Sequence, residues 1–118
     1  MEYYSLEEMR VWQKAMDLAV RIYNLTERLP RKEDYGLTSQ LRSSGLSVLG
    51  NISEGSGRKH TKDKLKFYYN ARGSLAETKN HLIHGSKVGY FTATELEELS
   101  NLIRESMEGI KFFNPFLE

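Results

Sequence analysis

Cysteine is absent from this 118-residue chain. That excludes disulfides, thiolate metal ligands and a cysteine nucleophile, and it fits a reducing compartment. No apolar run approaches the roughly 18 residues that a membrane-spanning helix needs. The opening Met1-Glu-Tyr-Tyr-Ser5 lacks a basic region followed by an apolar stretch, so no signal peptide, no membrane partner and a cytoplasmic location are expected. Asn51-Ile-Ser53 has the form of a glycosylation acceptor and, without a route to secretion, is incidental. Proline occurs only twice, at Pro30 and Pro115, and an excess of charge is missing as well, the formal net charge being +1. The charge is nonetheless unevenly spread. Residues 58 to 87 hold eight lysines and arginines against two acids, whereas residues 92 to 118 hold six acids against two bases.

What remains reads as helix. Ser5-Leu-Glu-Glu8 has the S-x-x-E capping-box pattern, and Val11, Ala15, Leu18, Ile22, Leu25 and Leu29 follow at spacings of three and four. Trp12, Met16, Ala19 and Tyr23 make a second stripe, which predicts a first helix covered on two sides and stopped by Pro30. Arg31-Lys-Glu-Asp34 reads as a charged loop. A second helix is expected to begin between Tyr35 and Thr38 and to bury Leu37, Leu41, Val48 and Ile52, ending at Gly55-Ser-Gly57. Its Ser43, Ser44, Gly45, Ser47 and Gly50 are weak helix formers that suit a close backbone approach. Thr61 and Asp63 start the third helix, whose inner face is predicted at Leu65, Tyr68 or Tyr69, Arg72, Leu75, Thr78 and Leu82, with Gly73 and Ser74 at a further close approach. Gly89 suits a left-handed C-cap. Thr92-Ala-Thr-Glu95 repeats the capping box, and Leu96, Leu99, Ile103, Met107, Ile110 and Phe113 stripe a fourth helix that Asn114-Pro115 ends. No segment alternates as a strand does. The expected fold is all-α, an antiparallel up-and-down four-helix bundle forming one domain over residues 1–118.

Three site chemistries fail on spacing. Gly50-Asn-Ile-Ser-Glu-Gly55 begins like a phosphate-binding loop but continues Ser56-Gly57 where Lys and Ser/Thr are required, and no strand precedes it. A two-metal bundle site needs two Glu-x-x-His pairs, and three residues after Glu54 and Glu77 stand Gly57 and Asn80. His81 and His84 share a helix face, which alone does not make a metal centre. Glu54 and Glu77 as an acid/base pair would need a cleft and a positioning group, and the nearby Arg42, Arg58 and Arg72 suit salt bridges instead. No cofactor is expected. The strongest functional candidate is Arg58-Lys59-His60-Thr61-Lys62-Asp63-Lys64-Leu65-Lys66. Its five bases, Arg58, Lys59, Lys62, Lys64 and Lys66, precede Phe67-Tyr-Tyr69 and offer phosphate-binding charge beside rings that can stack on unpaired bases. Against that stand a solvated lysine face, aromatic rings placed in the core, and neutralisation by the acidic fourth helix.

Polar residues also occupy helix positions where a core is usually apolar. Arg42, Asn51, Glu54, Arg58, Arg72 and Glu77 sit among glycines and serines and are expected to form an internal polar network or a subunit contact. With Gly36-Leu-Thr-Ser-Gln-Leu-Arg42, Asn51-Ile-Ser-Glu-Gly-Ser-Gly-Arg58, Ala71-Arg-Gly-Ser-Leu-Ala-Glu77, Trp12 and Gly89-Tyr90, the chain resembles the 23S rRNA intervening-sequence proteins, or four-helix bundle protein family. The resemblance implies an up-and-down bundle that assembles into a homo-oligomer, a pentamer in that family; the leading expectation for this chain is a role without enzymatic activity. A related branch of accessory proteins in diversity-generating retroelements binds nucleic acid and a reverse transcriptase through a basic surface, a charge this chain does not share. The chain departs at Leu49, where the family often has proline, and at Ser44 and Ser53, where it has alanine. Two non-enzymatic functions follow from these readings, beside a third, an unrecognised enzyme with its site at a subunit junction. One is docking of RNA or an RNA-associated partner through residues 58–69. The alternative is a protein–protein interaction scaffold that buries Trp12, Tyr23, Phe67 and Phe112-Phe-Asn-Pro-Phe116 against partners.

Overall fold

The computed structural model describes residues 5–113, with side-chain environments through Lys111. Residues 114–118, with Asn114-Pro115 and Phe116, and the side chains of Phe112 and Phe113 lie outside that description. Four helices account for the order of the chain: α1 (Arg10–Thr26), α2 (Leu37–Ser56), α3 (Thr61–Lys87) and α4 (Ala93–Phe113). Among the described residues there is no strand. Helix α1 packs against α2 and α4, and α3 against the same two, closing the square of an up-and-down bundle. The spacing of apolar residues sets this arrangement. Val11, Ala15, Leu18 and Ile22 of α1, Leu37, Leu41, Val48 and Ile52 of α2, Tyr68, Leu75 and Leu82 of α3, and Leu99, Ile103 and Ile110 of α4 are all buried in one core.

Local chemistry moves several boundaries. The Ser5 box holds a short 3-10 turn, Leu6–Glu8, in which Ser5 N donates to Glu8 Oε1 at 3.3 Å, and α1 begins only at Arg10. Helix α1 ends at Thr26, ahead of Pro30. Thr26 Oγ1 there donates to Ile22 O at 2.7 Å and accepts from Arg42 Nε at 2.8 Å, and the chain leaves in a turn that still buries Leu29. The segment Arg31–Glu33 is a 3-10 turn, not an open loop. At the start of α3 the capping position belongs to His60, and Thr61 is already helical. Glycine 89 does take the left-handed conformation, φ 91°. Gly89 N donates to Ser86 O and Tyr90 N to Gly85 O, a complete Schellman closure. Thr92 and Glu95 form a reciprocal box, with Thr92 N on Glu95 Oε1 at 2.9 Å and Glu95 N on Thr92 Oγ1 at 3.1 Å.

The small residues of α2 divide into two kinds. At Gly45 a side-chain methyl would stand 3.1 Å from Ile22 Cδ1, so α1 and α2 approach closely there. Gly50 and Gly73 face open space, with nothing among the described residues within 4 Å of the same position, so neither makes within the chain the close approach expected of it. The polar atoms inside the bundle are hydroxyls. Ser47 Oγ meets Ser74 Oγ at 2.8 Å and Thr78 Oγ1 meets Ser44 Oγ at 2.8 Å, tying α2 to α3, while Trp12 Nε1 donates to Ser53 Oγ at 3.2 Å and ties α1 to α2. Ser44 and Ser53, the two departures from alanine, thus both serve as partners across a helix interface. Each such pair is worth on the order of 1 kcal/mol, and leaving its buried member unpaired costs more.

Candidate nucleic-acid interface

The basic segment sits at the corner where α2 hands over to α3. Helix α2 finishes because Gly57 N closes back on Ser53 O and Glu54 O, each at 3.2 Å, and Arg58 N on Gly55 O. Lys64 Nζ reaches from the first turn of α3 to Gly55 O and Ser56 O, both at 3.3 Å, capping carbonyls that the helix end leaves free. Lys64 is therefore engaged in the corner itself. Lys59, Lys62 and Lys66 are exposed and form no ion pair among the described residues. Arg58 pairs with Glu54 at 3.2 Å, one turn back on the same surface. The guanidinium of Arg58 and the ammonium of Lys66 both lie over the Phe67 ring, at 4.7 and 5.4 Å from its centroid. The three rings after the lysines have separate fates. Tyr68 is core, 1% exposed, with burial pushing its hydroxyl up to about 12; Phe67 is half-buried beneath the two cations, and Tyr69 is 49% exposed.

The acids of α4 decide how much of this charge is free. Glu105 pairs with Lys14 at 3.1 Å, Glu98 with Arg21 at 2.7 Å, and Glu95 with Arg28. The three cations stand seven residues apart, Lys14 and Arg21 two turns from each other on α1 and Arg28 in the turn just past its end, so the ladder runs down the α1–α4 seam. Arg28 grips both oxygens of Glu95 and also donates to Tyr90 O at 2.9 Å. The Arg28 bonds to the carboxylate, with those from Thr92, hold the Glu95 carboxyl at about 2 against the opposing pull of desolvation. Thus α4 compensates α1, and the bases at the start of α3 gain no carboxylate from it.

The six polar residues expected to form an internal network or a subunit contact do not make one network within the chain. Arg42 leaves its group to bond Thr26 Oγ1, Tyr23 O and Glu27 Oε2, with its guanidinium 4.1 Å above the Tyr23 ring. Asn51 Nδ2 donates to Ser47 O at 2.8 Å and so joins the Ser47–Ser74 pair. Glu54 and Arg58 pair with each other on the surface, Glu77 lies 3.4 Å from His81, and Arg72 stands apart on the α3–α4 side. The inner position of α3 assigned to Arg72 belongs to Ala71, which is fully buried. An open concavity of about 700 Å³ runs along the outside of α2 past Asn51, Glu54 and Arg58, adjoining the basic corner. Among the described residues no three His, Asp or Glu side chains converge as a metal site would require.

Two capping roles escaped the sequence reading. Glu33 accepts from Leu37 N at 3.2 Å and from Tyr90 OH at 2.9 Å, so it caps α2 and ties that helix to the α3–α4 connection. Those two bonds, the backbone one first, lower its carboxyl from the ordinary range. Lys64 has the other, set by a contact with the preceding helix that spacing along α3 does not reveal.

A family model described as 23S rRNA-intervening sequence protein matches residues 7–111. Among solved structures, a protein of unknown function from the S23 ribosomal protein family of Bacteroides thetaiotaomicron VPI-5482 superposes with a TM-score of 0.82. That match covers 89% of this chain and 95% of the other at 24% identity, a likeness of fold. No curated protein matches the chain.

Proposed function

The chain belongs to the 23S rRNA-intervening sequence protein family, and from that premise we propose that it is a non-enzymatic, homo-oligomeric cytoplasmic bundle that holds RNA by its phosphates at the α2–α3 corner. The observation that carries this reading is the one-sided pairing of charge. Three acids of α4, Glu95, Glu98 and Glu105, are engaged by Arg28, Arg21 and Lys14, while Lys59, Lys62 and Lys66 are exposed and have no carboxylate partner among the described residues. Exposed Tyr69 adds a ring beside them on which an unstacked base can lie. Self-association is supported by apolar side chains turned outward on α1 and α2, among them Val20 at 49% and Leu46 at 60% exposure. A pentamer, as the resemblance implies, repeats the corner five times and raises avidity without new contacts.

The test is a fluorescence-anisotropy titration of the sized oligomer with a structured ribosomal RNA fragment at low and moderate salt. Binding on the order of micromolar that weakens steeply with salt is expected. Lys59→Glu/Lys62→Glu/Lys66→Glu abolishes it with assembly intact; Lys64 is left in place because it caps α2. Absence of binding at low salt overturns the RNA reading in favour of a protein-binding scaffold.

A further inference from the structure

The α3–α4 side of the bundle is its most sparsely packed, and a groove of about 510 Å³ opens along it. Arg72 and Lys79 of α3 line it with Arg104 and Lys111 of α4, against the single carboxylate of Glu108. None of these four cations forms an ion pair among the described residues; Arg104 donates only to Asn101 Oδ1, at 2.9 Å. The cause is the ladder on the opposite side of α4, which turns Glu95, Glu98 and Glu105 toward α1. Between the cations the floor is apolar, built by Ala76, by Ile103 at 4% exposure, and by half-buried Met107, a side chain that adapts readily to an incoming surface.

We infer that this groove docks an acidic amphipathic helix of a partner protein. Each wall carries its cations seven residues apart, a rise of about 10.5 Å along a helix. Carboxylates at i and i+7 of an incoming helix repeat at the same interval, and the apolar residues three and four positions on lie between them, over the floor. A nucleic acid satisfies the rims but has nothing to set on Ile103 and Met107. A second copy of this chain is a poor fit, because three acids of its own acidic helix are already engaged by α1. The groove is separate from the lysines of the α2–α3 corner, and the inference does not depend on RNA binding there.

The experiment uses the full chain and a labelled, end-capped peptide of about 20 residues with a leucine ridge and glutamates at i, i+7 and i+14 on its flanks. Saturable binding with a Kd on the order of 10 μM is expected at moderate salt. Lys79→Glu/Lys111→Glu weakens it about tenfold or more, and a peptide with lysine in place of glutamate then binds the reversed protein but not the native one. The triple lysine variant of the corner binds the acidic peptide as the native protein does. No saturation by about 1 mM peptide, or equal affinity for native and reversed grooves, overturns the inference. So does displacement of the peptide by a short single-stranded RNA that itself loses binding to the reversed groove. A change of oligomeric state on charge reversal overturns it too, marking the groove as a contact between copies.

Discussion

Replacing Gly55 by alanine sets two calculable effects against each other. Gly55 lies in the last turn of α2, where alanine would gain about 1 kcal/mol of helix propensity over glycine. Its new methyl, however, would stand 2.6, 2.9 and 3.1 Å from Cε1, Cδ1 and Cζ of Tyr68. That ring is 1% exposed and fixed among core side chains, so it cannot swing aside as a surface chain would. Overpacking of this kind costs about 1–3 kcal/mol, and contact with three ring atoms places this site at the upper end. The net expectation is a loss of about 1–2 kcal/mol. Gly73→Ala and Gly50→Ala provide the contrast, since each glycine is inside a helix and nothing lies within 4 Å of the added carbon. Those two should gain about 0.5–1 kcal/mol. Urea denaturation followed by far-UV circular dichroism at one fixed protein concentration reads all three, and a spread of about 1.5–3 kcal/mol between Gly55→Ala and Gly73→Ala is expected. If Gly55→Ala proves as stable as Gly73→Ala, the packing of the α2–α3 corner argued above is wrong.

Ser106 is fully buried on α4 and its hydroxyl has no hydrogen-bond partner among the described residues, so Ser106→Ala should raise stability by about 1 kcal/mol in the same assay. Gly89→Ala places a side chain at φ 91° and should cost about 1–2 kcal/mol, visible as a lower Tm. The Glu95 carboxyl is held below its ordinary value, at about 2, so its contribution is present above the unfolded-state value near 4.5 and is lost as pH falls through about 2. Arg28→Ala should therefore flatten the acid limb of a Tm-against-pH curve between those values and leave its neutral-to-alkaline shape unchanged. Arg42→Lys should lower stability and slacken the exit of α1, because an ammonium cannot span Thr26, Tyr23 and Glu27 at once while lying flat on a ring; amide exchange at residues 24–29 checks this.

The bundle was legible in the sequence wherever the signal was periodic. The α1 seam and the four apolar residues of α2 were read directly, since a stripe at spacings of three and four has one way to be buried. On α3 the polar stretch blurred the phase, and the inner position went to Arg72 in place of Ala71, its neighbour. Gly73 was read as a contact because glycine marks both close approach and indifference, and only the neighbouring surface distinguishes them. The site was harder, because every feature that shapes it is a pairing between helices. Lys14, Arg21 and Arg28 are visibly seven apart, but nothing in the chain states that α4 lies beside them. Glu33 caps α2 from within a charged turn, four residues ahead of the helix it serves.

The hydroxyl contacts between α2 and α3 have a mechanical consequence. Apolar contact carries no directional bond, whereas a pair such as Ser44–Thr78 is made at one axial offset or not at all. With Ser47–Ser74 beside it and Lys64 clamping the corner, the two helices behave as a single stiff rod with its sliding coordinate removed. A pull exerted on the basic corner is then delivered along the rod to its far end, where Tyr90 is moored to Glu33 and Arg28, instead of being absorbed where it is applied.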